Sequence, residues 1–379
     1  MTSLKNNQRL PEIDLIRGFA LLGIFLMNID FMSTDSILVE NWSHNFTNSF
    51  DFISGKLKFL FLQQRFIGIF SFIFGLSIAI QQQNFKTTGN NFTSYYFKRI
   101  LVLSLIGIVQ ILFFYMGDIL LIYSLLSLFL FFFFKLPNKI ILASAILLFF
   151  IPAVFESIEP YQTFINGFAE NIKNHYTQSS ITTTFQSGTL LQIMQGRLTE
   201  YFYYDFTGLM WNRTAFVLML LGYLIGKNNW HINYLQYWRK LKIVFVICFL
   251  YYATLISYFF VAKVQFGFCI NMAYNIHILV SIITYIFLIL LLYKHSVTKK
   301  IITLISNVGK TSLSNYLLQG IICAFIFTNY GFSLFAKTTP TQNMFIVISI
   351  YTFQIIISNL YLRKFKTGPL EFLWRKLAR

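Results

Sequence analysis

Apolar stretches close to twenty residues long recur down this chain, and they leave little choice of architecture. They lie at roughly 15–33, 57–83, 99–116, 118–135, 138–156, 206–226, 240–264, 273–293, 310–328 and 343–361. Each comes near the roughly 20 residues that an α-helix needs to cross a bilayer core. Composition agrees: 56% of the residues are hydrophobic and 11% are charged, against about 25% charged in a soluble domain. The expectation is an all-α, polytopic integral membrane protein with about ten transmembrane helices. An even number of crossings puts both termini on one side.

The charges between the stretches say which side. Lys5 and Arg9 precede the first stretch, and Asp30, Asp35, Glu40 and Asp51 follow it. Lys86, Lys98 and Arg99 come next, then Asp118, then Lys135 and Lys139. The next set, Glu156, Glu159, Glu170, Glu200 and Asp205, is acidic. Basic sets follow at Lys227 to Lys242, at Lys294 to Lys310 and at Arg363 to Arg379. Lys and Arg in short loops stay cytoplasmic, so the alternation places the N and C termini in the cytoplasm. The net charge of +17 is then topological. It points to anionic lipid heads as partners, not to nucleic acid.

The first stretch follows Glu12 and Asp14, carries Arg17 and lacks a small-residue cleavage site. It reads as a retained anchor rather than a cleaved signal. Three regions emerge: a five-helix half at 1–156, a polar extracytoplasmic loop at 157–205, and a second five-helix half with a basic tail at 206–379. The loop either caps an outer cavity or links the halves. Cys248, Cys269 and Cys323 lie in or near helices and read as small packing residues. The five histidines are scattered over both sides, so no metal site is expected.

Several polar residues sit where apolar ones would suffice. Asp14 and Arg17 are three apart on one helical face and can pair. Arg17 can also hold a phosphate bidentately. Gly18 and Gly23 allow close helix contact. Asn28 ends the same helix on the outer side, and His44 follows in the outer loop, where an imidazole can take a proton from an acceptor. Arg65, within Gln63-Gln64-Arg65, lies inside an apolar stretch, where a charge is functional by default. Arg213 is similar but nearer its helix end. Gln110 and Asp118 flank the tight turn between the third and fourth stretches, and Asp118 also suits a helix start. Asn315 and Gln319 share a face, as do Gln354 and Ser358; such pairs bind substrate or join helices. Gly309-Lys-Thr-Ser312 looks like the end of a phosphate loop. The earlier glycine is missing, however, since Leu304 stands there, so it is no ATP site.

Together these residues resemble a known pattern. Asp14-Leu-Ile-Arg17-Gly18 through Asn28, Ser71-Phe-Ile-Phe-Gly75, and Gly117-Asp118-Ile-Leu-Leu-Ile-Tyr123 are similar to YeiB-like bacterial membrane proteins, a family with a domain of unknown function. So are Gly309-Lys-Thr-Ser-Leu-Ser-Asn315-Tyr316-Leu-Leu-Gln319, Tyr330-Gly331, and Gly368-Pro369-Leu-Glu371-Phe-Leu-Trp374-Arg375. That family is distantly similar to transmembrane acyltransferases of the heparan-alpha-glucosaminide N-acetyltransferase type. The resemblance implies an acyl-CoA donor bound from the cytoplasm, with Arg17 on its phosphates and Asn28 and His44 at the transfer site. It implies a hydroxyl or amine acceptor outside, on a cell-envelope sugar or lipid. Two departures stand. The Asn28-to-His44 spacing differs from that of the lysosomal enzyme. Gln110 occupies the place of a histidine, and glutamine cannot act as a base. The alternatives are a small-solute permease using Arg65 and Asp118 and a non-catalytic envelope scaffold. The sequence is compatible with a homo-oligomer and sets no oligomeric state.

Overall fold

The computed structural model describes residues 10–35, 49–88, 91–155, 167, 178–207, 209–232, 234–261, 268–294 and 299–378. All regular structure among them is helical. The first half holds α1 (Pro11–Ser33), α2 (Ser49–Phe61), α3 (Arg65–Thr88), α4 (Phe92–Phe113), α5 (Ile119–Phe131) and α6 (Asn138–Phe155). Then come α7 (Gln178–Ser187), α8 (Leu190–Thr207), α9 (Leu209–Lys227), α10 (Trp238–Val261) and α11 (Phe268–Lys294). The last four are α12 (Lys299–Lys310), α13 (Ser312–Phe327), α14 (Pro340–Leu362) and α15 (Pro369–Leu377). Among the described residues, five helical stretches are long and apolar enough to cross a bilayer: Pro11–Ser33, Arg65–Lys86, Phe92–Phe113, Ile276–Lys294 and Pro340–Leu362. Ile119–Phe131, Asn138–Phe150 and Ser312–Phe327 are apolar but shorter.

The side chains are sorted inside out relative to a water-soluble protein. On α4, Leu101, Leu105, Ile108 and Val109 face outward, while Gln110 on the opposite face is fully buried. On α14, Phe345, Ile348, Ile356 and Leu360 face outward, while Asn343 and Gln354 are fully buried. Water would penalise such extended apolar faces. Hydrocarbon does not, and it favours polar groups that find partners inside the bundle.

α1 runs through the centre and packs against α3, α11, α12, α13 and α14. Its glycines set those contacts. A Cβ on Gly18 would strike the Ile305 carbonyl, and one on Gly309 would strike the Asp14 carbonyl. The Gly309-Lys-Thr-Ser segment is therefore a helix junction pressed against α1. α3 and α9 meet just as closely, at Gly75 against the Met219 carbonyl and Gly222 against the Phe72 carbonyl.

Two expectations change. The stretch at 57–83 is not one helix, because Gln64 adopts φ 64° and separates α2 from α3. The carbonyls orphaned there are taken up from the side. Tyr285 Oη donates to the Phe61 carbonyl (2.9 Å) and Arg65 Nη1 to the Gln63 carbonyl (2.7 Å). That satisfies a break where water is scarce. The segment read as a polar loop at 157–205 contains α7 and α8. Both dock on the end of the bundle where α1 and α4 finish, through Phe185, stacked on Phe335 at 4.6 Å, and through Arg197.

Candidate functional site

A cavity of about 490 Å³ opens between α1, α3, α4, α5, α13, α15 and the end of α12. Arg17, Arg99, Lys310 and Arg375 stand at one end of it, with Phe85 and Tyr95. Ser77 and Gln81 line the middle, and Phe70, Phe74, Tyr123, Ile119 and Tyr316 line the other end. From Phe85 to Phe70 the α3 wall spans fifteen residues, about 22 Å at 1.5 Å per residue. The mouth is thus cationic and aromatic, the waist polar and the far end apolar.

Local chemistry builds each wall. Arg17 Nη1 pairs with Asp14 Oδ1 at 3.1 Å, and Nη2 donates to Ser77 Oγ. The guanidinium is aimed across the cavity instead of snorkelling outward. α15 is held by Glu371, whose Oε1 accepts from the backbone N–H groups of Leu313 (2.7 Å) and Ser314 (3.2 Å). A carboxylate there satisfies orphan donors at the start of α13 and complements its dipole. One turn on, Trp374 Nε1 donates to the Arg99 carbonyl at 2.9 Å. The Arg99 guanidinium lies over the indole, 3.8 Å from its centroid, a cation–π contact that fixes the charge at the rim. Phe85 stacks on Tyr95 at 4.6 Å on the opposite rim.

A second, small pocket of about 20 Å³ lies at the C-terminal ends of α1 and α4. Phe31, Met32 and Asp35 line it from the end of α1, Phe114 and Met116 from the end of α4, Ala324 from α13, and Arg197 and Glu200 from α8. Helical spacing places a partition between the two spaces. On α13, Tyr316 lines the large cavity, Ala324 the small pocket, and Gly320 lies midway. On α4, Leu103 and Phe114 line the two spaces, with Gly107 and Gln110 between. Tyr316 to Ala324 is eight residues, about 12 Å. Gln110 is fully buried in this layer, and neither end of its amide has a hydrogen-bond partner. Its Nε2 lies where a Cβ on Gly320 would sit. Asp118 is fully buried beside Gly107 and caps α5, its Oδ2 accepting from Leu120 and Leu121 at 2.9 Å each.

Of the residues singled out from sequence, Arg17, Asn28, Gln110 and Asp118 fall along this axis, with Asp14 as the partner of Arg17. Asn28 is buried eleven residues beyond Arg17. Three turns apart, the two share one stripe of α1 about 16 Å long, which ends one turn later at Phe31 and Met32. Arg65 sits elsewhere, buried at the α2–α3 break beside Tyr252 and His277, which stack at 4.9 Å. Arg213 is half-buried near the start of α9. Asn315 Nδ2 donates to Ser358 Oγ (2.9 Å), and Gln319 Nε2 to Gln354 Oε1 (2.9 Å), both between α13 and α14. His44 lies outside the described residues. The sequence reading did not single out Arg99, Trp374 or Arg375 as site residues, nor Lys310 at the rim. The alternation of aromatic and basic residues in Phe372-Leu-Trp374-Arg375-Lys376 was the available signal.

Residues 223–379 match DUF418, a protein family of unknown function. The uncharacterized protein YxaH of Bacillus subtilis is 26% identical over 398 residues, which cover 99% of this chain and 96% of that protein. An uncharacterized 39.9 kDa protein in the amylase 3' region of Bacillus acidopullulyticus is 24% identical over 392 residues, 100% of this chain and 96% of that one. The uncharacterized protein YeiB of Escherichia coli is 38% identical over 79 residues, 21% of this chain and 20% of its own length. No solved structure matches. The YeiB-like resemblance read from the motifs holds, and none of these names carries an activity.

Proposed function

For a chain whose residues 223–379 match DUF418, we propose a membrane-embedded acyltransferase of the bacterial plasma membrane. It takes acyl-CoA from the cytoplasm and acylates a hydroxyl or amine of a cell-envelope sugar or lipid on the far side. The observation that carries this reading is the graded cavity: four cationic side chains at the mouth, a polar waist and an apolar far end. Coenzyme A has the same order of chemistry. Its phosphates need Arg and Lys, its arm carries amides that Ser77 and Gln81 can meet, and its thioester end is apolar.

The topology that goes with this has about ten spans and both termini in the cytoplasm. Arg17, Arg99, Lys310 and Arg375 belong to the basic side of the charge alternation, so the mouth faces the coenzyme pool. Acceptor oxygen or nitrogen attacks the thioester carbonyl carbon. The carbon–sulfur bond breaks, the electron pair leaves on sulfur, and the acceptor's proton ends on the released thiol. Asn28, one turn from the small pocket, stands on the acceptor's side, and the family resemblance adds His44 to the transfer site. A permease driven by an Arg65–Asp118 pair has less support. Arg65 packs toward α10 and α11, and Asp118 toward α4 and α13.

The test is coenzyme A binding to the full chain in lipid nanodiscs. Binding in the micromolar range is expected, and the double variant Arg17→Ala/Arg99→Ala should weaken it at least tenfold. Each lost charged hydrogen bond is worth about 1.5–3 kcal/mol. An absence of binding by the unaltered protein, or affinity indifferent to both arginines, would sink the proposal.

A further inference from the structure

We infer that Gln110 is the group that binds the reacting carbonyl, donating from its amide to the thioester oxygen as negative charge develops there. The inference rests on the acyl-transfer reading and names a residue that acts within it.

Three observations converge. Gln110 is fully buried, yet both ends of its amide lack a hydrogen-bond partner. A primary amide in an apolar layer ordinarily finds partners, and an orphan marks a place where something else supplies them. The residue also sits in the partition, level with Gly320 and between the two spaces on both α4 and α13. That is where a thioester entering along the large cavity meets an acceptor entering from the small pocket. Finally, the amide packs directly onto Gly320, where a Cβ would strike Nε2, so the missing side chain on α13 is what lets Gln110 occupy the partition. Glutamine cannot take the acceptor's proton, but its N–H is a preorganised donor in a dry layer, where such donors act most strongly. The carbonyl oxygen accepts that bond while the acceptor attacks. When the carbon–sulfur bond breaks, the oxygen reverts to a carbonyl and the thiol leaves with the acceptor's proton.

The experiment uses proteoliposomes loaded with acetyl-coenzyme A and bathed in glucosamine as the acceptor probe. Transfer is read as acetylated amine outside, and coenzyme affinity is measured separately. Gln110→Leu should lower transfer about a hundredfold, the usual loss of one oxyanion donor, with coenzyme affinity within about twofold. Its melting temperature should rise, because an apolar group replaces an unsatisfied amide. Gly320→Ala, which pushes the amide aside, should also lower transfer while leaving the coenzyme bound. Unchanged transfer in Gln110→Leu, or a fall in its melting temperature, overturns the inference. So does coenzyme binding without transfer by the unaltered protein, which would leave the donor cavity standing. Failure to bind the coenzyme at all removes the parent reading as well.

Discussion

Lys58 and Asp30 meet in the interior with hardly any exposure. The ammonium lies 2.8 Å and 2.7 Å from the two carboxylate oxygens. Asn343 Nδ2 donates to Asp30 Oδ1 at 3.1 Å and to Ser33 Oγ at 2.8 Å. The pair joins α1, α2 and α14 at one point. Removing one partner leaves a buried charge, so Lys58→Met should destabilise the protein by about 3–5 kcal/mol, whereas the neutral double variant Asp30→Asn/Lys58→Met should recover most of that loss. Thermal melting of the detergent-solubilised chain separates the two cases, and equal melting of single and double variants would contradict the pairing. At this scale the sequence was partly legible. Arg17 and Asn28 stood out because they are polar residues within an apolar helix, one beside Asp14 and the other at its end. The rim of the cavity did not stand out. Arg99, Lys310 and Arg375 come from three distant helix ends, and only tertiary packing brings them together.

Individual helices were easier to foresee than their breaks. Apolar length gave α1 and α14 to within four residues at each end, whereas α4 begins seven residues before the stretch read at 99–116. The α2–α3 break could not be seen, because Gln63-Gln64 is a weak signal within a long apolar run and the tyrosines that satisfy its carbonyls lie about two hundred residues later. Nor did polar composition at 178–207 reveal α7 and α8. Their helicity comes from docking on Phe335 and on the end of α4 rather than from an apolar stripe. The α3–α9 contact gives a direct test. Gly222 abuts the Phe72 carbonyl, and a backbone cannot yield as a side chain can. Gly222→Val should cost at least about 1–3 kcal/mol, read as a lower melting temperature or loss of monodisperse protein. A neutral outcome would mean that the two helices lie further apart.

For the whole molecule, the sorting of charge along the chain and the sorting of apolar side chains to its surface are independent observations. The first underlies the proposed sidedness; the second suits hydrocarbon around the bundle. They meet in one prediction. In a variant lacking the native cysteines, Lys364→Cys should react with an impermeant thiol reagent only after cells are opened. Lys337→Cys, exposed between α13 and α14, should react in intact cells. The opposite pattern would invert the molecule and turn the large cavity to the outside. α15 has a further consequence. Glu371, Trp374 and Arg375 complete the rim, yet in chain order they follow every candidate span. The chamber therefore closes only when α15 folds back onto α4 and α13, and a chain whose spans are all in place but whose α15 is undocked has no finished rim.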